Sequence, residues 1–154
     1  MEDKCLQDAY AKHNECFGCG PSNKKGLQIK SYVVGDVVKA AWHASEHHQA
    51  FPGMVSGGII GTLLDCHSNW AAAYFLMQKS ALNKPPCTVT AEYKISLKHP
   101  TPSNHTLHLV AWVDKITGNK AFIKAELVAN DKCTAVCEGL FVAVRPGHPA
   151  YHRW

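Results

Sequence analysis

Charge is scarce in this sequence. Of 154 residues only 18% are charged, and 16 basic against 12 acidic residues leave a net charge of +4. The basic residues are scattered rather than clustered, so the electrostatic footprint of a nucleic-acid surface is missing and nucleic acid is not expected as a partner. An uninterrupted apolar run is also missing. The most apolar stretch, 54–77, carries Asp65, His67, Ser68 and Asn69 at its centre, where one charge in a bilayer costs about 2.5–3.5 kcal/mol. It reads as a buried helix, and no membrane partner is expected. A secretory leader pattern is absent, and the seven cysteines are odd in number, so a reduced chain in the cytoplasm without disulfides is the simplest expectation. Internal repeats and low-complexity segments are lacking too, which excludes solenoid, collagen-like and disordered classes.

What the chain does have is a hydrophobic content of 46%, enough for one core at a length that buries roughly 70% of the unfolded surface. A single domain over 1–154 is expected, covered by a short extension over 1–26. Residues 1–15 permit a short amphipathic helix, and 16–25 read as loop from their Gly and Pro content. Two β-rich runs, Leu27 to Val34 and Val37 to Ala44, meet at Gly35-Asp36, a hairpin junction. A Pro/Gly loop over 45–56 follows.

From Gly57 to about Gln78, Ile59, Leu63, Cys66, Trp70, Ala73 and Met77 recur at helical spacing, with Ile60, Leu64, Ala71 and Phe75 beside them. A helix apolar over most of its circumference must be wrapped by other structure. Its remaining face carries Gly58, Thr62, Asp65, Ser68, Asn69 and Ala72, small or polar side chains able to line a cleft. Four strands then follow, Cys87 to Leu97, Thr106 to Ile116, Ala121 to Ala129 and Thr134 to Val144. The order predicts an α+β fold in which a curved antiparallel sheet wraps a long central helix.

Three segments carry a resemblance. Cys16-Phe-Gly-Cys-Gly-Pro with Asn23 and Gly26-Leu27, Phe51-Pro-Gly-Met-Val-Ser-Gly-Gly with Leu63-Leu-Asp65, and Thr90-Ala-Glu-Tyr with His99-Pro100 are similar to the motifs of hotdog-fold acyl-CoA thioesterases of the phenylacetate-pathway (PaaI-like) type. Asp65-Cys66-His67 resembles a DCH-containing subgroup. Two positions depart from the family pattern: Ser56 stands for a histidine and His99 for an arginine.

Gly57 opens the helix, where free N–H groups and the positive dipole end can polarise a carbonyl; the resemblance implies that role for it. Asp65 is a carboxylate in an apolar helix, and its pKa is expected to rise. The resemblance implies either a nucleophile or a general base, with Thr90 orienting it. Eight residues separate Gly57 from Asp65, roughly 12 Å along a helix, too far for one thioester to span. A two-fold partner must then complete the site, making a homodimer, or a dimer of dimers forming a homotetramer. Gln49 is a candidate for the thioester oxygen, in competition with His47, His48 and Ser56; Gly58 and Asn69 line the cleft side.

Lys94 and Lys98 share strand parity with Thr90 and are candidates for the phosphates of coenzyme A. Trp70, Tyr74 and Phe75 fit either an acyl pocket or the core, and His67 reads as an interior histidine. Cys16-x-x-Cys19 lacks a second pair at zinc-ribbon spacing, apart from Cys133 and Cys137 on one strand face, and no metal is expected. The resemblance implies a thioester hydrolase acting on a small-molecule acyl-CoA, with no cofactor beyond coenzyme A as part of the substrate. A non-catalytic acyl-CoA-binding protein and a hotdog enoyl-CoA hydratase or dehydratase, weakly suggested by His48 before Phe51-Pro52-Gly53, stay open.

Overall fold

The computed structural model describes residues 4–154. A short helix α1 (Leu6–Tyr10) is followed by β1 (Tyr32–Val34) and β2 (Val37–Trp42), a small ribbon of β3 (Gln49–Phe51) and β4 (Met54–Val55), the long helix α2 (Gly57–Lys79), and the strands β5 (Thr88–Leu97), β6 (Leu107–Thr117), β7 (Lys120–Ala129) and β8 (Lys132–Ala143). Six strands form one antiparallel sheet in the order β1-β2-β6-β7-β8-β5.

Helix α2 packs against five of those strands, β2, β5, β6, β7 and β8. Its Leu63, Leu64, Trp70, Ala71, Ala72 and Ala73 lose all contact with solvent, which explains why the helix is apolar on so many sides. Alternating residues of the sheet, Ile123, Ala125 and Leu127 on β7 and Ala135, Cys137 and Phe141 on β8, supply the opposing layer. No helix among the described residues is long and apolar enough to cross a membrane.

Three expected boundaries shift for physical reasons. The first β-rich run pairs only over Tyr32–Val34, because Leu27 and Ile29 spend their amides on the carbonyls of Phe17 and Gly18, and Trp42 Nε1 donates to the Leu27 carbonyl. The loop over 45–56 contains a 3-10 turn at Glu46–His48 and the β3–β4 ribbon. The third difference lies in bulges, of which those in β5 and β8 bear on the candidate residues. Thr90 pairs with Phe141 but Glu92 with Leu140, so Ala91 is an extra residue in β5. Leu127 pairs with Ala135 and Val128 with Cys133, which makes Thr134 extra in β8. An inserted residue reverses the facing of everything beyond it. Lys94, opposite Glu138, therefore lies on the outer face and not with Thr90, and Cys133 does not share a face with Cys137.

A buried polar chain fastens the N-terminal segment to the helix. Gln7 Nε2 donates to Ser31 Oγ at 3.0 Å, and Gln7 Oε1 accepts from the Ser31 N–H at 2.8 Å. His67 bridges Ser31 Oγ and the Val38 carbonyl at 2.8 and 2.9 Å. Since a carbonyl only accepts, Nε2 carries the proton and Nδ1 accepts from the serine. His67 is thus an interior histidine with both nitrogens satisfied, and burial lowers its pKa to about 4.

The unfolded chain takes up a proton on His67 near its ordinary value of 6.5, whereas the native state resists protonation down to about 4. Native stability should therefore drop by about 1.4 kcal/mol for each pH unit below 6.5 attributable to this group. Urea unfolding between about pH 7 and 5 should show this slope in the parent and a shallower one in His67→Gln; identical slopes would show that another group titrates.

Candidate active site

Helix α2 turns Asp65 and, one turn later, Asn69 toward β5. Thr90 Oγ1 donates to Asp65 Oδ1 at 2.6 Å. Alongside, Asn69 Nδ2 donates to the Thr88 carbonyl at 3.4 Å and Thr88 Oγ1 to the Asn69 carbonyl at 3.5 Å. The inward pair Thr88 and Thr90 thus meets the polar side of the helix residue for residue. Asn69 Oδ1 is buried without a partner in the described residues.

Asp65 is half-buried, and loss of hydration pushes its carboxyl above the ordinary carboxylate range. The Thr90 hydrogen bond and the positive charge of Arg153 oppose this, while negative charge at Cys16 adds to it. With Oδ1 held by Thr90, the second oxygen is left to accept a proton or attack.

The helix begins at the other end of the site. Ser56 occupies the N-cap with extended ψ of 136°, and its hydroxyl makes no capping bond, so the first helical N–H groups remain open to a ligand. A Cβ on Gly57 would stand 3.0 Å from Leu97 Cδ1, whereas one on Gly58 would meet only Ser56 Oγ at 3.7 Å. A side chain at 57 would thus press on the tip of Leu97, while 58 has room. A cavity of about 330 Å³ opens here, lined by Phe51, Gly57, Ile60, Leu97, Lys98 and His99 among others. Phe51 and Leu97 among its lining are 58% and 56% exposed.

Two candidates have other work. Gln49 Nε2 donates to the Glu46 carbonyl at 3.0 Å, and Oε1 accepts from the Gly53 N–H at 2.6 Å and from Ser103 Oγ at 3.2 Å. Its amide braces the loop behind the cavity. His48 Nδ1 accepts from the Ser45 N–H at 2.8 Å, and the ring lies 5.0 Å from Trp42 and 4.1 Å from His47, so it is a loop cap. Lys98 reaches the cavity beside Gly57, while Lys94 lines a separate outer depression with Glu92, Asp114, Lys124 and Glu138. Trp70 is wholly in the core; Tyr74 and Phe75 are half-buried against it.

Sequence reasoning missed the C-terminal tail. Arg153 Nη1 donates to the Thr88 carbonyl at 2.9 Å, its guanidinium lies 4.8 Å over the Trp154 ring, and Trp154 stacks on Trp70 at 4.5 Å. No periodic pattern marks this segment, and an Arg-Trp pair beyond the last strand was the only cue. Also missed was Cys66, whose sulfur lies 3.8 Å from that of Cys16.

A thioesterase-superfamily protein from Shewanella loihica PV-4 superposes on this chain with a TM-score of 0.68 at 29% identity, over 90% of this chain and 99% of its own. The fold is the hotdog fold. Escherichia coli PaaI, from the phenylacetic acid degradation operon, matches over 77% of this chain and 81% of its own, with a TM-score of 0.65 at 16% identity. Zebrafish thioesterase superfamily member 2 matches over 80% and 90%, also at 0.65, with 18% identity. No family model and no curated protein sequence matches the chain. In this hotdog frame Asp65 lies on the central helix against β5, and Gly57 opens that helix.

If Gln49 braces the loop, Gln49→Ala should cost about 0.5–1.5 kcal/mol in chemical unfolding. Unchanged stability with a fall in turnover would instead assign it to the substrate.

Proposed function

We propose that this protein is an acyl-CoA thioesterase that works as a homodimer, or as a dimer of dimers. The observation that carries the reading is the Thr90–Asp65 contact of 2.6 Å, a half-buried carboxylate on the central helix of a hotdog fold oriented by a hydroxyl of β5. The structural similarity to thioesterase-superfamily proteins supports it.

A substrate carbonyl seated at the Gly57 N–H of one protomer would be polarised by the open helix terminus. Asp65 of the other protomer then lies within reach, which removes the separation of roughly 12 Å along a single helix. In the general-base route Asp65 takes a proton from water, hydroxide adds to the carbonyl carbon, the C–S bond breaks, and the proton passes to the departing thiolate. In the nucleophilic route an Asp65 oxygen adds to the carbonyl carbon, the C–S bond breaks with departure of the coenzyme A thiolate, and water then cleaves the anhydride, freeing the Asp65 carboxylate and giving up a proton to the thiolate. Either way the products are a carboxylic acid and free coenzyme A. Thr90 fixes the carboxylate in both routes, and Ser56 stands beside the carbonyl seat.

Lys98, at the rim of the Gly57 cavity, is the candidate for the coenzyme A phosphates. Lys94, on the opposite sheet face, is not. Cytoplasmic action on a soluble acyl-CoA follows from the same reading.

Asp65→Ala should lower kcat by about 10²-fold or more, read as thiol release from a panel of acyl-CoAs; full activity in that variant would end the mechanism. Thr90→Val should cost about tenfold, as for one hydrogen bond to a charged group.

Lys98→Ala should raise KM for acyl-CoA in a salt-sensitive way and leave a short thioester lacking the nucleotide unaffected. Lys94→Ala should leave both substrates unaffected. Equal losses on both substrates in Lys98→Ala would place the phosphates elsewhere.

A further inference from the structure

The Cys-x-x-Cys spacing at Cys16 and Cys19 gains a third member through the fold. Helix α2 places Cys66 so that the sulfurs of Cys16, Cys19 and Cys66 all lie within 4.8 Å of one another, and Cys16 and Cys66 are 3.8 Å apart. Tetrahedral zinc with bonds of about 2.3 Å to sulfur holds its ligands about 3.8 Å apart. That pair therefore already stands at a coordination edge. Neither Cys133 nor Cys137 belongs to the cluster.

The surroundings are built for thiolates. Gly18 sits where a Cβ would fall 2.3 Å from Cys66 Sγ and 2.8 Å from Thr62 Cγ2, and Gly20 where one would fall 2.4 Å from the Cys16 backbone nitrogen and the Asn14 carbonyl oxygen. Glycine at both places lets the turn close over the helix and bring three sulfurs together. The turn is fixed by Gly20 N–H donating to the Cys16 carbonyl at 2.8 Å and Cys16 N–H to Asn14 Oδ1 at 2.9 Å. Trp70 Nε1 donates to Cys19 Sγ at 3.3 Å. Such donors to sulfur are the usual outer partners of metal-bound thiolates. Cys19 and Cys66 are buried, Cys16 is half-exposed, and the mechanism above uses none of the three.

We propose that Cys16, Cys19 and Cys66 form a zinc site, with three protein thiolates and a fourth position on the exposed side taken by water or another small ligand. Soft sulfur donors select zinc over magnesium or calcium. Zinc displaces the remaining thiol protons and no electron is transferred. The ion staples the N-terminal extension to α2 one residue beyond Asp65, and this assignment stands independently of the thioesterase reading.

The test uses the whole chain, stripped of metal and fully reduced, with Co²⁺ and Zn²⁺ as probes. One equivalent of Co²⁺ per chain should produce thiolate-to-cobalt charge-transfer absorption with the visible bands of a tetrahedral ion, and one equivalent of Zn²⁺ should abolish both. The thermal midpoint should rise with added Zn²⁺ and fall on chelation. Cys19→Ser and Cys66→Ser should each lose the tight equivalent, while Cys133→Ser and Cys137→Ser keep it. Gly18→Ala, which removes no sulfur, should also weaken binding by displacing Cys66. If any ligand variant fails to fold, thiol counting in the parent decides: Zn²⁺ should protect three of the seven thiols from a thiol reagent. Absence of charge transfer in reduced parent protein, full binding by a folded Cys66→Ser, or protection of other cysteines would overturn the assignment.

Discussion

Enclosure of α2 by the sheet is the constraint from which the rest of this molecule follows. A helix with almost no free face contributes much of the apolar burial that offsets chain entropy, and a polar group on it is costly unless it finds a partner inside the protein. His67 finds Ser31 and Val38, and Asp65 finds Thr90. The same desolvation that makes these contacts obligatory raises the carboxyl of Asp65. Packing and reactivity are two results of one burial.

The N-terminal segment is fastened to that helix twice. Gln7 and Ser31 reach it through His67, while the turn at Cys16 to Gly20 reaches it at Cys66. Both attachments, at Cys66 and His67, directly follow Asp65 in sequence, so displacement of the segment would uncover the helix where the carboxylate sits. The C-terminal tail closes a third side through Trp154 on Trp70 and Arg153 on Thr88. Segments outside the sheet thereby help to set the dielectric of the site.

Much of this was legible in the sequence because periodicity reports burial directly. The apolar stripes located α2 to within a residue at each end, and the last four strands were recovered because Gly118 and Asn130-Asp131, all at positive φ, punctuate them as hairpin turns should. The pairing of Thr90 with Asp65 followed a family resemblance. Facing beyond a bulge was not legible: parity counts residues and cannot see that Ala91 stands outside the pairing. Nor could spacing along the chain show that Cys66 meets Cys16 across fifty positions, since only the folded helix brings them together. Nor could the sequence show that the Gln49 amide is bonded to Glu46, Gly53 and Ser103, since those partners meet it only in space.

The extra residue at Ala91 lets one strand do two jobs on one face. Before it, Thr88 and Thr90 present hydroxyls to the helix; after it, Ile95 and Leu97 present hydrocarbon, opposite Cys137 and Ala135. A polar stretch and a greasy stretch sit in line, with no need for a second element to supply either. It also sets a rule for transferring roles between sequences. Against a relative whose strand runs without the insertion, an ungapped comparison pairs inward residues with outward ones from position 92 onward, and only a one-residue gap at the bulge restores equivalent positions.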